Sequence, residues 1–315
     1  MVLLEKEQID LLLKFAGIIV LVIVVLFILT WAGVVKCSTL SPVWCEVYDS
    51  VVGSPSVLIV YGDEGLGDPE KLKMYLQDPR YVGVLNVSTQ EIDRVTMGNL
   101  KRYKLVIVEH SRKVSADQLL MFMEYVNKNG GRLVWIGDAG VEYGDGEVRE
   151  ISDINTGSKI ADNPWVRVKE TDVDYKLISF DEFLGLKYLD NYCNQKDCLD
   201  APFSVGSLES EPTGDHPLIF GTAPVLNFKI SKERNFSVVK PLANSYSSNI
   251  VLTLNFGGNI KGKEYDLGKS VPIITTSSIG VGERVAYYAY PPEWFVEDNN
   301  YFYYVKNMYK GMFGR

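Results

Sequence analysis

The chain has 315 residues, of which 46% are hydrophobic and 23% charged, and its formal net charge is −8. This length and composition suit one large domain or two small ones with a packed core, which excludes wholesale disorder. The acidic balance and the lack of any long basic run argue against a nucleic-acid-binding surface, because such a surface needs clustered Lys and Arg to neutralise phosphates.

The first strong feature along the chain is an apolar stretch near the N-terminus. Residues 15–35 carry no charged side chain and lie between Lys14 and Lys36. As an α-helix with a rise of about 1.5 Å per residue, they would span roughly 30 Å, the thickness of a bilayer's hydrocarbon core. Trp31 suits the membrane interface. A cleaved signal peptide, the alternative, has a shorter apolar core of about 7–15 residues. The sequence therefore predicts an uncleaved transmembrane helix at residues 15–35.

The charges around this stretch favour one orientation in the membrane. Lys6 and Lys14 lie on its N-terminal side, whereas Lys36 alone follows it directly. Under the positive-inside rule, residues 1–14 form a short cytoplasmic N-terminus and the C-terminal domain lies outside the cytoplasm. The sequence thus predicts a single-pass protein of the cell membrane.

All four cysteines follow the apolar stretch, in two short-spaced pairs: Cys37 with Cys45, and Cys193 with Cys198. Two local pairs are typical of disulfides formed in an oxidising compartment. One alternative is a four-cysteine zinc site, although its usual two-residue spacing is absent; free buried thiols are another. Two Asn-x-Ser sequons give candidate glycosylation sites in such a compartment, at Asn86 and Asn235.

Residues 36–54 are predicted to form a juxtamembrane linker and residues 55–315 one globular domain. Between residues 55 and 140, short apolar strands alternate with helices. Apolar strands joined by helices indicate a parallel sheet covered on both faces. The predicted fold is therefore α/β: a doubly wound, mostly parallel, flavodoxin-like sheet with helices on both faces. Three predicted helix starts carry capping signals, at Asp68 before Pro69, at Ser88 with Glu91, and at Ser115 with Gln118.

The second half of the domain is less regular. Residues 141–270 are rich in Asp, Asn, Ser and Gly, and we predict an irregular excursion with scattered edge strands there rather than a second domain. Order returns at residues 271–315. The closing helix, from about Asn299 to Met312, has apolar side chains at helical spacing.

Three stretches carry a family resemblance. The first, "YKLVIVEH…LLMFMEYVNKNGGRLVWIGDAG", has a strand, a helix, a Gly-Gly pair and a second strand that ends in a turn. The others are "DHPLIFG" and "VPIITTSSIGVGERVAYYAYPPEW". In this order they resemble class I glutamine amidotransferase-like domains, including the trehalose-utilisation-like and other non-catalytic branches. The resemblance covers residues 55–140 and 215–315.

The resemblance implies that amidotransferase chemistry has been lost. An active member keeps a cysteine in a G-x-C-x-G turn after the fourth strand, and "WIGDAG" places Asp138 at that position. Active members also carry a late histidine with a nearby Glu, but "RVAYYAY" is followed by "PPEWF", without a histidine. We therefore expect no thioester chemistry on glutamine, and a non-enzyme rather than an enzyme.

Five candidate site residues follow the ends of predicted strands: Asp63, Glu64, Glu109, His110 and Asp138. In a doubly wound sheet, the loops at the carboxyl ends of the strands meet in one crevice, so these side chains can converge. They suit a ligand or metal site of carboxylates plus imidazole, or catalysis by Asp138 as nucleophile with His110 as base. The favoured interpretation is that they are capping and loop carboxylates at a degenerate former active site.

The other histidine, His216, precedes a proline, and we interpret it as structural. The favoured function is a catalytically degenerate binding or scaffold module in a membrane-associated assembly, with no cofactor. Its expected partners are the membrane and other membrane or cell-surface proteins, with a glycan as a further candidate and no nucleic acid. The alternative is a hydrolase, or a metal- or small-ligand-binding enzyme, that uses Asp63, His110 and Asp138.

Overall fold

The computed structural model forms two compact units, Met1–Ser54 with Gly314–Arg315, and Pro55–Phe313. The residues described are 6–31, 35, 44, 47–48, 51, 56–145, 147, 163–170, 175–210, 216–221, 225–242, 248–277, 283–296 and 302–313.

The first unit contains one long helix, α1 (Lys6–Trp31). Its side chains are described from Lys14 to Thr30, and many of the apolar ones, such as Phe15 and Leu21, are more than half exposed. Within the described part of the chain, no helix is long and apolar enough to qualify as a membrane span. The transmembrane helix predicted at residues 15–35 is therefore not confirmed.

The second unit is a mixed α/β domain. Its described strands are β1 (Ser56–Tyr61), β2 (Asn86–Glu91), β3 (Leu105–Val108), β4 (Arg132–Ile136), β5 (Val166–Glu170), β6 (Tyr175–Ser179), β7 (Leu186–Asn191), β8 (Phe203–Ser210), β9 (Val225–Ile230), β10 (Ser237–Pro241), β11 (Ser248–Lys261), β12 (Asp266–Ser277) and β13 (Val285–Tyr288). Its described helices are α2 (Pro69–Gln77), α3 (Met97–Leu100), α4 (Ala116–Asn129), α5 (Phe180–Leu184), α6 (Tyr192–Gln195), α7 (Pro292–Phe295) and α8 (Phe302–Met312).

Nine of the described strands form the main sheet, in the order β2-β1-β3-β4-β13-β12-β11-β8-β9. The pairs from β2 to β13 are parallel, and those from β13 to β9 are antiparallel. The parallel half has the strand order of a flavodoxin-like sheet. The predicted fold class is thus confirmed in its mixed α/β, flavodoxin-like form.

The strands of the parallel half are apolar because they are covered on both sides. Every residue of β3 and β13 is buried, as are the four central residues of β1. The helix starts at Asp68 and Ser115 are confirmed, since Asp68 accepts a hydrogen bond from the backbone of Lys71 and Ser115 forms a capping box with Gln118. The loops that follow β1 and β3 therefore end at these two helix caps.

One local prediction is wrong. Ser88 and Glu91 do not begin a helix, because residues 86–91 pair in register with β1 as the strand β2. Pairing with the exposed edge of β1 overrides the capping signal. Within residues 141–270, β8, β9, β11 and the start of β12 extend the main sheet by antiparallel pairing.

Candidate functional site

An open cleft lies at the carboxyl ends of the parallel strands. Its volume is about 480 Å³, and its walls come from the segments that follow β1, β2, β3 and β4. Since β2 and β3 lie on opposite sides of β1, the chain reverses its strand order here, and ligands of open α/β sheets bind at such a switch point. The fold therefore presents this cleft as the candidate ligand site.

The lining of the cleft is strongly acidic. Lys113 also lies in the wall and forms an ion pair with Asp145 at 2.6 Å. Arg94 pairs with Glu91 at 3.0 Å, and Arg112 pairs with Glu142 at the same distance. The remaining acids have no ion pair among the described residues, so the cleft favours a positively charged group. The six lining acids are Asp63, Glu64, Glu91, Asp93, Glu142 and Asp145.

The N-terminus of α4 also faces this edge, but the chain itself occupies it. A helix N-terminus attracts anions because its first N–H groups are free. Here one carboxylate oxygen of Glu147 accepts a hydrogen bond from the backbone of Ala116, and the other accepts from the backbone of Gly144 at 3.1 Å. The first turn of α4 is thus capped by Glu147, and a phosphate-like ligand has no free place there.

The turn after β4 is formed by two glycines with positive φ. The chain reverses through Gly137, whose φ is +60°, and Gly140, whose φ is +69°. In a nucleophile elbow, the reactive side chain occupies the strained position directly after the strand. In this turn that position is Gly137 rather than Asp138. An added Cβ at Gly137 would lie 2.9 Å from the Cβ of Leu66, so a side chain there has no room.

Asp138 is the centre of a buried hydrogen-bond network. Its exposed fraction is 1%. Its Oδ1 accepts from the backbone N–H of Leu66 at 2.7 Å, and its Oδ2 accepts from Nδ2 of Asn191 at 2.9 Å. Arg112 lies 3.7 Å from Oδ2 and supplies the compensating charge. The carboxylate therefore binds three other segments of the domain and is buried away from the cleft.

The orientation of Asn191 is itself fixed. Its Oδ1 accepts from the hydroxyl groups of Ser237 at 2.8 Å and of Tyr188 at 3.1 Å, which turns its amide nitrogen towards Asp138. Burial raises the pKa of Tyr188 well above its ordinary value, so this hydroxyl stays protonated and donates. The segment 186–191 thereby covers Asp138.

The acidic loop that follows the turn is held by a buried arginine. Arg167, on β5, donates to the backbone carbonyls of Gly140 and Glu142 at 2.8 and 3.1 Å. Its guanidinium also lies over the ring of Tyr143 at 3.9 Å, and burial lowers its pKa. The loop is therefore a supported wall of the cleft.

The five predicted site residues do not form one site. Asp63 and Glu64 are exposed and line the cleft, whereas Glu109, His110 and Asp138 do not. His110 is half-buried with φ +48°, the one positive φ outside glycine among the described residues, and the backbone of Leu66 accepts a hydrogen bond from its N–H. No group of three His, Cys, Asp or Glu among the described residues is arranged to hold a metal ion. The carboxylate–histidine crevice is thus not assembled.

One of the two predicted cysteine pairs and the second histidine lie among the described residues. Cys193 and Cys198 form a disulfide, as predicted. Cys37 and Cys45 lie outside the described residues. Nε2 of His216 lies 2.8 Å from Glu283, and its Nδ1 accepts from the backbone of Leu218, which is the geometry of a structural histidine.

The two sequons differ in their surroundings. Asn86 is exposed at the start of an edge strand, and its glycosylation stays a prediction. Asn235 is buried, and its side-chain oxygen accepts from the backbones of Cys193 and Phe236 at 3.0 and 2.8 Å. These contacts disfavour a glycan on Asn235 in the folded domain.

Sequence reasoning missed a second buried cluster at the same edge of the sheet. Glu109 follows β3, Glu293 lies on α7, and Tyr309 lies on α8; all three side chains are fully buried. The signal for Glu109 was present in the sequence, but nothing local marked Glu293 or Tyr309 as its neighbours.

Comparisons with known proteins found similar solved structures but no matching sequence. No family model and no curated protein sequence matches the chain. Among solved structures, a ThuA-like protein from Bacteroides uniformis matches 82% of this chain and 92% of its own, with a TM-score of 0.52 and 14% identity. A ThuA-like protein from Parabacteroides merdae matches 75% of this chain and 79% of its own, with a TM-score of 0.41 and 15% identity. A GMP synthase component from Thermoplasma acidophilum matches 82% and 93%, with a TM-score of 0.42 and 7% identity.

The likeness to the first of these structures supports the fold. Residues 55–313 form a mixed α/β domain of the flavodoxin-like type, similar in fold to that ThuA-like protein. At this level of identity the likeness shows the fold alone.

Proposed function

We propose that the chain is a membrane-anchored binding module whose amidotransferase-like domain performs no amide hydrolysis. The turn after β4 carries this proposal. Gly137 occupies the strained position of a nucleophile elbow, and Leu66 fills the space beside it. The carboxylate of Asp138 accepts hydrogen bonds from Leu66 and Asn191 instead of facing a substrate. What remains open at this edge of the sheet is the acid-lined cleft.

The cleft is where the module binds its ligand. It is large enough for a small molecule or for a side chain of a partner protein, and pockets at switch points are the usual ligand sites of such sheets. Asp63 and Glu64 are exposed in its wall, so the ligand presents a positively charged amine or guanidinium group. A free polyamine and a basic segment of a membrane or cell-surface protein share this chemistry.

The binding proposal is tested by titration calorimetry on the full-length protein in mild detergent. The probes are spermidine and a lysine-rich peptide, which distinguish a free amine from a basic protein segment, with a glutamate-rich peptide as the control. We expect at least one cationic probe to bind and a double Asp63→Asn, Glu64→Gln variant to lose about tenfold in affinity, or about 1.4 kcal/mol. A matched variant at an exposed acid far along the chain, Glu233→Gln, should bind like the wild type. Failure of both cationic probes to bind, or equal binding by the double variant, contradicts the proposal.

The anchor is the apolar part of α1. Support for it comes from the uncharged residues 15–35 and from the exposed apolar side chains of that helix. Lys6 and Lys14 favour a cytoplasmic N-terminus, and the disulfide Cys193–Cys198 suits a domain in an oxidising compartment. An anchored module is concentrated near membrane partners, which strengthens binding without new contacts.

Membrane extraction and protease protection test the anchor and its orientation. The full-length chain should stay with the membrane in alkaline carbonate and dissolve only in detergent. Protease added to intact cells should digest the domain, and an impermeant maleimide should label its cysteines only after reduction. Release by carbonate contradicts the anchor, whereas free thiols in the untreated protein contradict the extracytoplasmic location.

A further inference from the structure

Glu109, Glu293 and Tyr309 form a buried polar cluster that the binding proposal does not use. Glu109 follows β3, Glu293 lies on α7, and Tyr309 lies on α8, so the cluster joins three separate parts of the chain. The backbone N–H of Asp68, the cap of α2, donates to Oε1 of Glu293 at 2.8 Å and adds a fourth part. Gly67 lies so close that an added Cβ would be 2.8 Å from Oε2 of Glu109.

Four of the five side-chain oxygens of this cluster are unsatisfied. Both oxygens of Glu109, Oε2 of Glu293 and the hydroxyl of Tyr309 are buried without a hydrogen-bond partner among the described residues. An ionised carboxylate in such a place loses its hydration and gains nothing in return. Two neighbouring buried carboxyl groups are stable only when they hold protons, which also supply the missing hydrogen-bond donors.

Among the residues that the structure describes, the groups that act on the cluster give no positive charge to offset ionisation. Asp68, before α2, acts on both glutamates, and Tyr75 on α2 interacts with Glu293. Tyr288 on β13 acts on Tyr309. These neighbours are acidic or phenolic, so each of them opposes a further negative charge.

Burial and this repulsion together raise the pKa of both glutamates. Burial raises the pKa of Glu293 to about 8 from its usual 4.5, and it raises the pKa of Glu109 well above the same value, with the charge of Glu293 adding to the effect. In the unfolded chain both groups titrate near their usual pKa of about 4.5. The folded state therefore holds protons that the unfolded state has lost, and its stability falls as the pH rises from about 4.5 to about 8.

We infer that Glu109, Glu293 and Tyr309 form a proton-dependent latch that holds α7 and α8 against the segment between β1 and α2. When the latch is closed, both carboxyl groups are neutral and the helices cover them. When they ionise, each gives its proton to water, and the buried charge is relieved by exposing this side of the domain. Glu109 lies in the segment that leads from β3 to Lys113 in the wall of the cleft, so the latch and the candidate ligand site share that segment.

Thermal unfolding of the full-length protein in detergent, measured from about pH 5 to about pH 9, tests the latch. We expect the wild-type midpoint to fall by about 5 °C or more over this range. Glu293→Gln and Glu109→Gln keep the shape of the side chain and cannot ionise. In each variant, the fall of the thermal midpoint should therefore be about half that of the wild type or smaller. Glu233→Gln, at an exposed position, should keep the wild-type profile.

Hydrogen exchange supplies a readout that needs no variant. Between acidic and alkaline pH, after correction for the intrinsic exchange rate, amides of residues 302–312 should lose protection more than those of residues 116–129. A flat midpoint, an equal fall in all variants, or uniform loss of protection overturns the latch. A rise of the alkaline midpoint with millimolar CaCl₂ that Glu109→Gln abolishes would make the cluster a cation site and would also overturn it.

Discussion

Leu66 closes the turn after β4 in two ways. Its backbone N–H donates a 2.7 Å hydrogen bond to Oδ1 of Asp138, and its Cβ occupies the space that a side chain at residue 137 would need. One residue thus binds the carboxylate beside the elbow and blocks the elbow itself. The segment after β1 thus packs against the turn after β4, and the remaining cleft lies to one side of this turn.

The first prediction concerns Asp138. Replacement by Ala leaves the N–H of Leu66 and the amide of Asn191 buried without an acceptor, so we expect a loss of about 2–4 kcal/mol in the free energy of unfolding. Asn at this position retains one acceptor and should also destabilise the domain. Urea unfolding of the full-length protein in detergent measures both. Asp145→Ala, at a side chain that is 95% exposed, is the control and should change stability by less than about 0.5 kcal/mol. Equal stability of the Asp138 and Asp145 variants would show that the network around Asp138 is not structural.

The second prediction concerns Gly137. An Ala there meets the Cβ of Leu66 at 2.9 Å and must adopt a positive φ, so we expect it to cost about 1–3 kcal/mol. The matched control is Gly98→Ala on α3, where the φ is not positive and the nearest atom is 3.8 Å away. That change should be neutral or slightly stabilising in the same urea measurement. A neutral Gly137→Ala would mean that the elbow has room for a side chain.

The third prediction concerns the disulfide. Cys193 and Cys198 are five positions apart, so the closed loop is short, and the loop-entropy model gives a stabilisation of about 2 kcal/mol. The double Cys193→Ser, Cys198→Ser variant should therefore unfold at lower urea than the wild type under oxidising conditions. Under reducing conditions, the contribution of this pair should vanish and the two proteins should converge. Identical curves before reduction would contradict a stabilising bond at this site.

The fourth prediction concerns stability in acid. Hydrogen bonding to His216 lowers the pKa of Glu283 to about 2. Since the unfolded chain protonates this group near its usual pKa of about 4.5, the stability it contributes is present above about pH 4.5 and is lost as the pH falls towards 2. Glu283→Gln should reduce the fall of the thermal midpoint over this range. An unchanged acid profile in the variant would show that other carboxylates dominate.

Local signals in the sequence predict the parts of the fold that local contacts stabilise. The cap at Asp68 and the capping box of Ser115 with Gln118 are such cases. The capping signal at Ser88 fails because pairing with β1 competes with it. The parallel half of the sheet follows from its apolar strands, whereas the antiparallel half, built from less regular segments, does not.

The candidate site is less predictable because its contacts are long-range. Asn191 binds Asp138 across 53 positions, and Glu293 binds the backbone of Asp68 across 225. No local pattern marks either partner. The sequence placed Asp63 and Asp138 at the same edge of the sheet, but which of them faces solvent depends on how β7 covers the turn.

Covalent trapping tests the central claim, that the turn after β4 carries no nucleophile, most directly. The full-length protein is incubated with a diazoketone analogue of glutamine, which alkylates nucleophilic thiols and carboxyl groups, and its intact mass is recorded along with ammonia release from glutamine. We expect an unchanged mass and no ammonia above the buffer rate. An adduct that maps to Asp138 and disappears in Asp138→Ala, with ammonia release lost in the same variant, would contradict the claim.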